Sequence, residues 1–344
     1  MLKTVFPKPL ELVLHQVDIP QPAEGELVLR VRAVTLCGSD VRVWKGEKTG
    51  GVIWPATIGH EVAAEVAAVG EGVSGYQVGQ RVSLAPWFHC GECDFCQNGL
   101  TNLCDRMEVF GYGIPGALAE YVVIPAPGVS AGLVVANDPA IAPEISALAE
   151  PLACVYHGHV RSRIEAGSIV LIIGGGPIGL LHADLALLTG AKVIISEPSA
   201  SRREFAASRG VQICVDPVNE SLAEVVAAHT GGHGVDVALV CIGYAPLADL
   251  AVELTRKGGV VNLFAGFGGD GVGSLALNTI HYRQLDVIGN SGATLADYRT
   301  AVELIQSGRI ALDDYVTDRF GLAQLDQALA QASSGDAIKV AVIC

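Results

Sequence analysis

The stretch VLIIGGGPIGLL, residues 170–181, decides the fold of this 344-residue chain. An apolar run typical of a buried strand leads directly into glycines in G-x-G-x-x-G spacing, and an apolar helical pattern follows. In such a turn the first glycine permits the bend, the second lets a pyrophosphate approach the backbone, and the third lets helix and strand pack closely. We therefore predict a strand–turn–helix unit that contacts a dinucleotide through Gly174, Gly176, Pro177, Ile178 and Gly179.

The strand that follows, AKVIIS, leads directly into Glu197, eighteen residues after Gly179. A carboxylate at this distance is placed to bind the adenosine ribose hydroxyls and would repel a 2′-phosphate, so the sequence predicts NAD rather than NADP. Arg202 and Arg203 argue the other way, because an arginine near this position can accept the phosphate. Arg202 and Cys241, which ends a later strand, are predicted as further cofactor contacts.

The pattern around this unit predicts an α/β fold with a second, β-rich domain. From about Ile169, short apolar runs alternate with helical stretches, as in a doubly wound parallel sheet. The first third instead carries alternating strands between glycine turns, and the closing run KVAVIC needs a sheet to join. We predict one domain from residues 1–150 with 290–344, and a nucleotide-binding domain over residues 151–289.

Composition excludes several classes of partner. The formal net charge of −14 argues against nucleic acid and anionic membranes. The long apolar segment over residues 168–196 is broken by a Gly-Pro turn and contains His182 and Asp184, which favours a buried strand and helix over a membrane span. The N-terminus has no signal-peptide pattern, and nine cysteines, an odd number, suit a reducing compartment; a cytoplasmic protein is predicted.

The segment HCGECDFCQNGLTNLC, residues 89–104, has the spacing of a metal site. Four thiolates complete a tetrahedral zinc with no open position, which is the chemistry of a structural site. An iron–sulfur cluster also takes four thiolates, although the bacterial ferredoxin run places its last cysteine closer and follows it with proline. The predicted zinc ligands are Cys90, Cys93, Cys96 and Cys104.

A closed site cannot bind substrate, so a catalytic metal would have to lie elsewhere. Cys37 ends a predicted strand in TLCGSD, and His60 and Glu61 follow in GHE. A thiolate, an imidazole and a carboxylate are the ligand types of an open catalytic zinc, which keeps one position for substrate. A free cysteine and a histidine in apolar surroundings can equally be packing residues.

Taken in order, CGSD, GHE, the four-cysteine loop, GALAEYVVIP, EPLAC and GGGPIG resemble the zinc-containing medium-chain dehydrogenases of the alcohol dehydrogenase superfamily. The resemblance spans nearly the whole chain. The sequence resembles the polyol (sorbitol), butanediol and threonine dehydrogenases more closely than the animal alcohol dehydrogenases. The reason is that Glu150 in EPLAC stands where the animal enzymes have a cysteine ligand.

The resemblance implies two zinc ions per chain, a GroES-like catalytic domain and a Rossmann domain. It makes Cys37 and His60 ligands of the catalytic zinc, with Glu61 or Glu150 as a further ligand or, for Glu150, a partner of its water. Ser39 would relay the alcohol proton. Arg42 departs from the pattern: several relatives have a histidine there, and an arginine does not titrate near neutrality.

The reaction that the resemblance implies is hydride transfer from a secondary alcohol of a polyol or sugar to NAD, giving the ketone. Threonine, a diol or a sugar phosphate are alternative substrates, the last because Arg42 could bind an anionic group. A non-enzymatic relative is disfavoured, since such a protein could lose Cys37 or His60 and this chain keeps both. The family likeness also implies a homodimer or homotetramer.

Overall fold

The computed structural model describes residues 1–268 and 271–344. Its strands are β1 Leu2–Val5, β2 Val13–Gln16, β3 Leu27–Thr35, β4 Glu61–Val69, β5 Arg81–Leu84, β6 Trp87–Phe88, β7 Glu108–Val109, β8 Tyr121–Ile124, β9 Val134–Ala136, β10 Ile169–Ile173, β11 Lys192–Ser196, β12 Ile213–Val215, β13 Val235–Val240, β14 Thr255–Leu263, β15 Asp286–Gly289, β16 Val316–Gly321 and β17 Lys339–Ile343. Its helices are α1 Gly38–Lys45, α2 Asp94–Gln97, α3 Ala126–Ser130, α4 Pro143–Ser146, α5 Ala149–Arg161, α6 Pro177–Thr189, α7 Ala200–Ser208, α8 Leu222–Thr230, α9 Ala245–Leu254, α10 Leu277–Arg283, α11 Leu295–Gln306 and α12 Leu325–Ser334.

Two compact units make up the chain. The split unit consists of Met1–Ala153 with Ala293–Cys344, and the central unit of Cys154–Gly292. None of the helices within the described ranges combines the length and the apolarity needed to cross a membrane. The apolar segment over residues 168–196 forms β10, the turn, α6 and β11, the buried strand–helix–strand arrangement that the sequence favoured.

The central unit is a doubly wound parallel sheet, which confirms the predicted fold class. Its six strands lie in the order β12-β11-β10-β13-β14-β15, and every neighbouring pair is parallel. The middle strands are apolar because helices cover both faces: Leu171, Ile173 and Val240 are at most 2% exposed. The order in which successive strands are added to the sheet reverses between β10 and β13, and ligands of such sheets bind at the carboxyl ends of the strands beside this point.

The split unit contains a seven-stranded sheet built from both ends of the chain. Its main path is β16-β17-β3-β4-β5-β9, with β8 also paired to β3. The last strand, β17, lies antiparallel to β3, with Ala341 opposite Thr35. On its other side β3 pairs with β4, which places Glu61 opposite the same Thr35. Three segments far apart in sequence therefore meet at one end of β3.

Candidate active site and metal centres

Strand pairing brings the predicted catalytic metal ligands together. Cys37 lies two residues after β3, and Glu61 begins β4, directly after His60. Because β3 and β4 are antiparallel neighbours, the end of one strand meets the start of the other. The sulfur of Cys37, a ring nitrogen of His60 and a carboxylate oxygen of Glu61 all lie within 4.8 Å of one another. His60 and Glu61 are buried and Cys37 is half-buried, so this donor set fits an open zinc site.

Asp40, on the first turn of α1, orients two of these ligands. Its fully buried carboxylate accepts the N–H of Cys37 at 3.0 Å and that of Gly59 at 3.2 Å, and lies 3.3 Å from Nδ1 of His60. Burial raises the pKa of Asp40, but the neighbouring His60 and the two amides together hold that pKa below its usual value. Asp40 is therefore a carboxylate that fixes the His60 ring, as the outer partners of metal-bound histidines do.

Glu61 belongs to a buried network of charged and polar side chains that no sequence motif marks. One carboxylate oxygen accepts the hydroxyl of Thr35, and the other lies 2.6 Å from Nζ of Lys339, the first residue of β17. Lys339 is 5% exposed and Glu61 is fully buried. Burial lowers the pKa of Lys339, but the charges of Glu61, Cys37 and Glu150 raise it above its usual value, so the side chain stays an ammonium.

Glu150 lies on the first turn of α5 and is 6% exposed. The close group of possible metal donors found among the described residues contains Glu61 and not Glu150. Glu150 and Cys37 nevertheless both interact electrostatically with Lys339 and raise its pKa. A buried ammonium thus neutralises part of the negative charge that Glu61 and Glu150 concentrate here.

Ser39, the predicted proton relay, has a hydroxyl partner. The phenol of Tyr112 donates a hydrogen bond of 2.8 Å to Oγ of Ser39, and the Tyr112 ring lies 5.7 Å from that of His60. Nζ of Lys48 lies 4.0 Å from the centre of the Tyr112 ring, a cation–π contact. Arg42 is half-buried on the same helix, α1, as Ser39.

The four-cysteine loop folds into a compact sulfur cluster around α2 and the short 3-10 helix Thr101–Leu103. Sulfur–sulfur distances of 3.5 Å for Cys90–Cys104 and 3.9 Å for both Cys90–Cys96 and Cys93–Cys104 are near the edge of about 3.8 Å expected for four thiolates around zinc. The backbone N–H groups of Glu92 and Cys93 lower the pKa of Cys90 to about 6, which favours the thiolate. The four predicted ligands therefore fit a closed zinc site.

The glycine turn has the geometry that a pyrophosphate requires. Gly174 has a φ of 106°, in the left-handed region, and a Cβ on Gly179 would lie 1.9 Å from the carbonyl oxygen of Gly174. Gly176 is the N-cap of α6, Pro177 is its first residue, and a Cβ on Gly176 would meet nothing within 4 Å. Open space in front of the N-terminus of a thirteen-residue helix suits an anionic group.

Glu197 directly follows β11 and is 4% exposed. Its carboxylate accepts the N–H of Gly175 at 2.7 Å and that of Ser199 at 2.8 Å, which ties it to the glycine turn. A cavity of about 430 Å³ adjoins this strand end, lined by Ile173, Ser196, Pro198, Pro217 and Ile242 among other residues. Its lining fits an adenine ring.

The remaining predicted cofactor residues lie at the same edge of the sheet. Arg202 is half-buried near the start of α7. Cys241 follows β13, and its N–H donates to the carbonyl of Ile173 at 3.0 Å. Burial raises the pKa of Cys241 to about 12, so its side chain is a neutral thiol beside the turn.

Known proteins resemble this chain along nearly its whole length. The family descriptions "Alcohol dehydrogenase GroES-like domain" and "Zinc-binding dehydrogenase" match residues 23–132 and 177–307. The 2-dehydro-3-deoxy-L-galactonate 5-dehydrogenase of Pseudoalteromonas atlantica is 35% identical, over 90% of this chain and 88% of that protein. The L-threonine 3-dehydrogenase of Pyrococcus abyssi is also 35% identical, over 95% of this chain and 93% of that protein.

Among solved structures, a Sinorhizobium meliloti protein with bound NADP superimposes with a TM-score of 0.93 at 31% identity, covering 100% of this chain and 99% of the other. These findings confirm the predicted GroES-like and Rossmann folds, the closed and open zinc sites and a nicotinamide nucleotide as cofactor. The chain belongs to the zinc-containing medium-chain family of alcohol dehydrogenases and is a zinc-dependent, NAD(P)-linked dehydrogenase.

Proposed function

We propose that this dehydrogenase oxidises a secondary alcohol of a polyol or sugar to the ketone and transfers the hydride to NAD. The observation that carries the proposal is that donor atoms of Cys37, His60 and Glu61 lie within 4.8 Å of one another. A relative named for oxidation at carbon 5 of a sugar acid supports a sugar-type substrate. The threonine dehydrogenase at the same identity keeps threonine as the alternative.

Cys37 and His60 would hold the catalytic zinc, and Glu61 is the better candidate for a third ligand because its oxygen lies in the donor group. Glu150 remains the alternative, as a ligand or as the partner of a zinc-bound water. When bound, zinc supplies Lewis acidity that favours loss of the proton from the substrate hydroxyl. Asp40 fixes the orientation of the His60 ring, and the ammonium of Lys339 offsets part of the surrounding negative charge.

Ser39 is proposed to take the substrate proton. Its oxygen accepts a hydrogen bond from Tyr112, which leaves the Ser39 hydrogen available for transfer to the next group. Because Arg42 does not titrate near neutrality, the proton would leave through water or the cofactor ribose instead of a surface histidine.

NAD is proposed as the preferred cofactor because the Glu197 carboxylate is buried at the ribose position. Its hydrogen bonds to Gly175 and Ser199 keep it there, and a 2′-phosphate would meet its negative charge. The NADP bound to the Sinorhizobium meliloti protein makes NADP the alternative to be tested.

A second candidate substrate is a sugar phosphate or another anionic sugar derivative. The ammonium of Lys48 lies against Tyr112, whose hydroxyl contacts Ser39, so a cation borders the group that would receive the alcohol proton. This local positive charge stands out because the whole chain carries a formal net charge of −14. A substrate with one carboxylate or phosphate would be attracted to this point.

A substrate panel separates these possibilities. Polyols, inositols, diols, threonine, sugar acids and sugar phosphates are each assayed with NAD and with NADP under the same conditions. We expect the highest kcat/KM for a sugar or polyol with NAD. Turnover of threonine alone, or a higher kcat/KM with NADP, would contradict the proposal.

Two further proposals concern the state of the protein in the cell. The family likeness supports a homodimer or homotetramer, which sedimentation equilibrium can distinguish from a monomer. The second proposal is a cytoplasmic, reducing compartment, and it is supported by nine cysteines that form no disulfides.

A further inference from the structure

Two neighbouring strands of the central unit end in the same way. β11 is followed by Glu197 and Pro198, and β12 by Asp216 and Pro217. The strands are parallel, and the N–H of Glu197 donates to the carbonyl of Val215 at 3.1 Å. The two acids thus lie side by side at the edge where the nucleotide is expected, but they have different partners.

Arg203 is the partner of Asp216. Nη2 of Arg203 donates to the Asp216 carboxylate at 3.0 Å, while Nη1 donates to the carbonyl oxygens of Glu197 at 2.8 Å and Pro198 at 2.7 Å. The side chains of Arg203 and Asp216 are only 19% and 18% exposed. The guanidinium is therefore held against the backbone of the residue proposed to bind the ribose, and both of its terminal nitrogens donate to protein oxygens.

Asp216 is itself held in place. Its carboxylate accepts the N–H of Val218 at 3.0 Å and the side-chain amide of Asn219 at 3.1 Å. These hydrogen bonds, together with the charge of Arg203, lower the pKa of Asp216 below its usual value. The carboxylate is thus a fixed, charged counter-ion for the arginine.

We infer that Asp216 is a positioning residue for cofactor choice, which withholds Arg203 from the 2′-phosphate of NADP. An arginine beside the ribose-binding acid is the side chain by which dinucleotide sites accept that phosphate. Here the acid next to the arginine neutralises it and directs its donors inward. Glu197 repels the phosphate, and Asp216 withholds Arg203, one of the two arginines that could compensate. The inference rests on the NAD preference proposed above.

The test measures binding with adenosine 5′-monophosphate and adenosine 2′,5′-bisphosphate, which differ only in the 2′-phosphate. Dissociation constants are obtained by isothermal titration calorimetry on the full chain. Asp216→Asn removes the charge but keeps an oxygen for the N–H of Val218. We expect the bisphosphate to bind about tenfold more tightly to this variant, as one charge-assisted hydrogen bond allows, with the monophosphate changed less than about twofold.

Three further variants make the result specific. Asp216→Asn combined with Arg203→Gln should lose the gain, because the released guanidinium causes it. Glu204→Gln removes an exposed acid from the same helix, α7, and should leave the ratio of the two constants unchanged. Asp216→Ser, which also keeps an acceptor oxygen, replaces Asp216→Asn if thermal unfolding shows that the latter does not fold.

The outcomes separate the two proposals. A wild-type chain that binds the bisphosphate more tightly than the monophosphate refutes the NAD preference, whatever Asp216 does. A wild-type preference for the monophosphate with no change of ratio in the folded Asp216 variant overturns the role of Asp216. A gain that persists without Arg203 overturns it as well. With intact enzyme, KM for NADP should fall in Asp216→Asn while kcat with NAD is retained.

Discussion

The chain has two metal centres built in opposite ways. The four-cysteine centre comes from fifteen consecutive residues, 90–104, of which Cys90, Cys93 and Cys96 are half-buried and Cys104 is buried. The open centre joins the ends of β3 and β4 with the start of β17, and Glu61 and Lys339 meet across 278 positions of sequence. The first can form from local turns, whereas the second requires the whole sheet. Stability and chemistry are accordingly expected to depend on different cysteines.

The largest effect is expected for Cys37→Ala. Loss of a zinc ligand removes a contribution of several kcal/mol to transition-state stabilisation, so kcat/KM should fall by roughly a thousandfold or more. Zinc content should fall from two ions per chain to one while circular dichroism stays that of the wild type. Cys214→Ala, in the central unit, is the matched control and should keep both ions and full activity. Full activity of Cys37→Ala would refute the assignment.

Cys93→Ala should disrupt the four-cysteine centre and leave the open centre intact. A structural zinc contributes folding free energy directly, so this variant should lose one zinc ion and several kcal/mol of stability. The folded fraction should still turn over, because the open centre is intact. Thermal unfolding and activity measured on the same sample check this. If Cys37→Ala and Cys93→Ala unfold to the same extent, the division of roles is wrong.

Lys339→Met tests the charge network beneath the open centre. It leaves the buried carboxylate of Glu61 without its ammonium, and breaking a buried pair in this way costs roughly 3–5 kcal/mol. Lys192 also begins a strand but is exposed, so Lys192→Met should change stability by less than about 0.5 kcal/mol. Urea unfolding of both variants provides the comparison. An equal, small effect would show that Lys339 contributes little.

The smallest effect concerns two buried histidines of the central unit, His182 and His159. His182, on α6, is fully buried with its ring against Phe264, and among the described residues neither ring nitrogen has a hydrogen-bond partner. Burial lowers the pKa of His182 to about 3, and that of His159 to about 4.

Because burial lowers the pKa of His182, the folded protein should become less stable as the pH falls. The unfolded chain protonates His182 below about pH 6.5, and the folded chain only near pH 3, so stability falls as pH drops through that range. At pH 5 this single group should cost about 2 kcal/mol relative to pH 8. Urea unfolding of wild type and His182→Phe at both values isolates the contribution. An identical pH dependence of the two proteins would contradict it.

The sites that sequence alone located are those whose chemistry is local. Cys90 to Cys104 and the turn around Gly176 carry their spacing in a few residues, and Glu197 follows at a fixed distance because one helix and one strand intervene. The role of Lys339 could not be predicted from the sequence, because a single lysine at the start of an apolar run belongs to no recognisable motif. Asp40 was missed in the same way.

The sequence by itself determined that this chain has a parallel nucleotide-binding sheet and two kinds of metal ligand set, since periodicity and spacing carry that information along the chain. Only the tertiary structure showed that Glu61 lies in the donor group with Cys37 and His60, that Lys339 pairs with Glu61, and that Asp216 holds Arg203. The physical reason is that strand order and register bring these groups within a few ångström of one another. Distances of that kind arise from pairing and packing, which no short stretch of residues specifies.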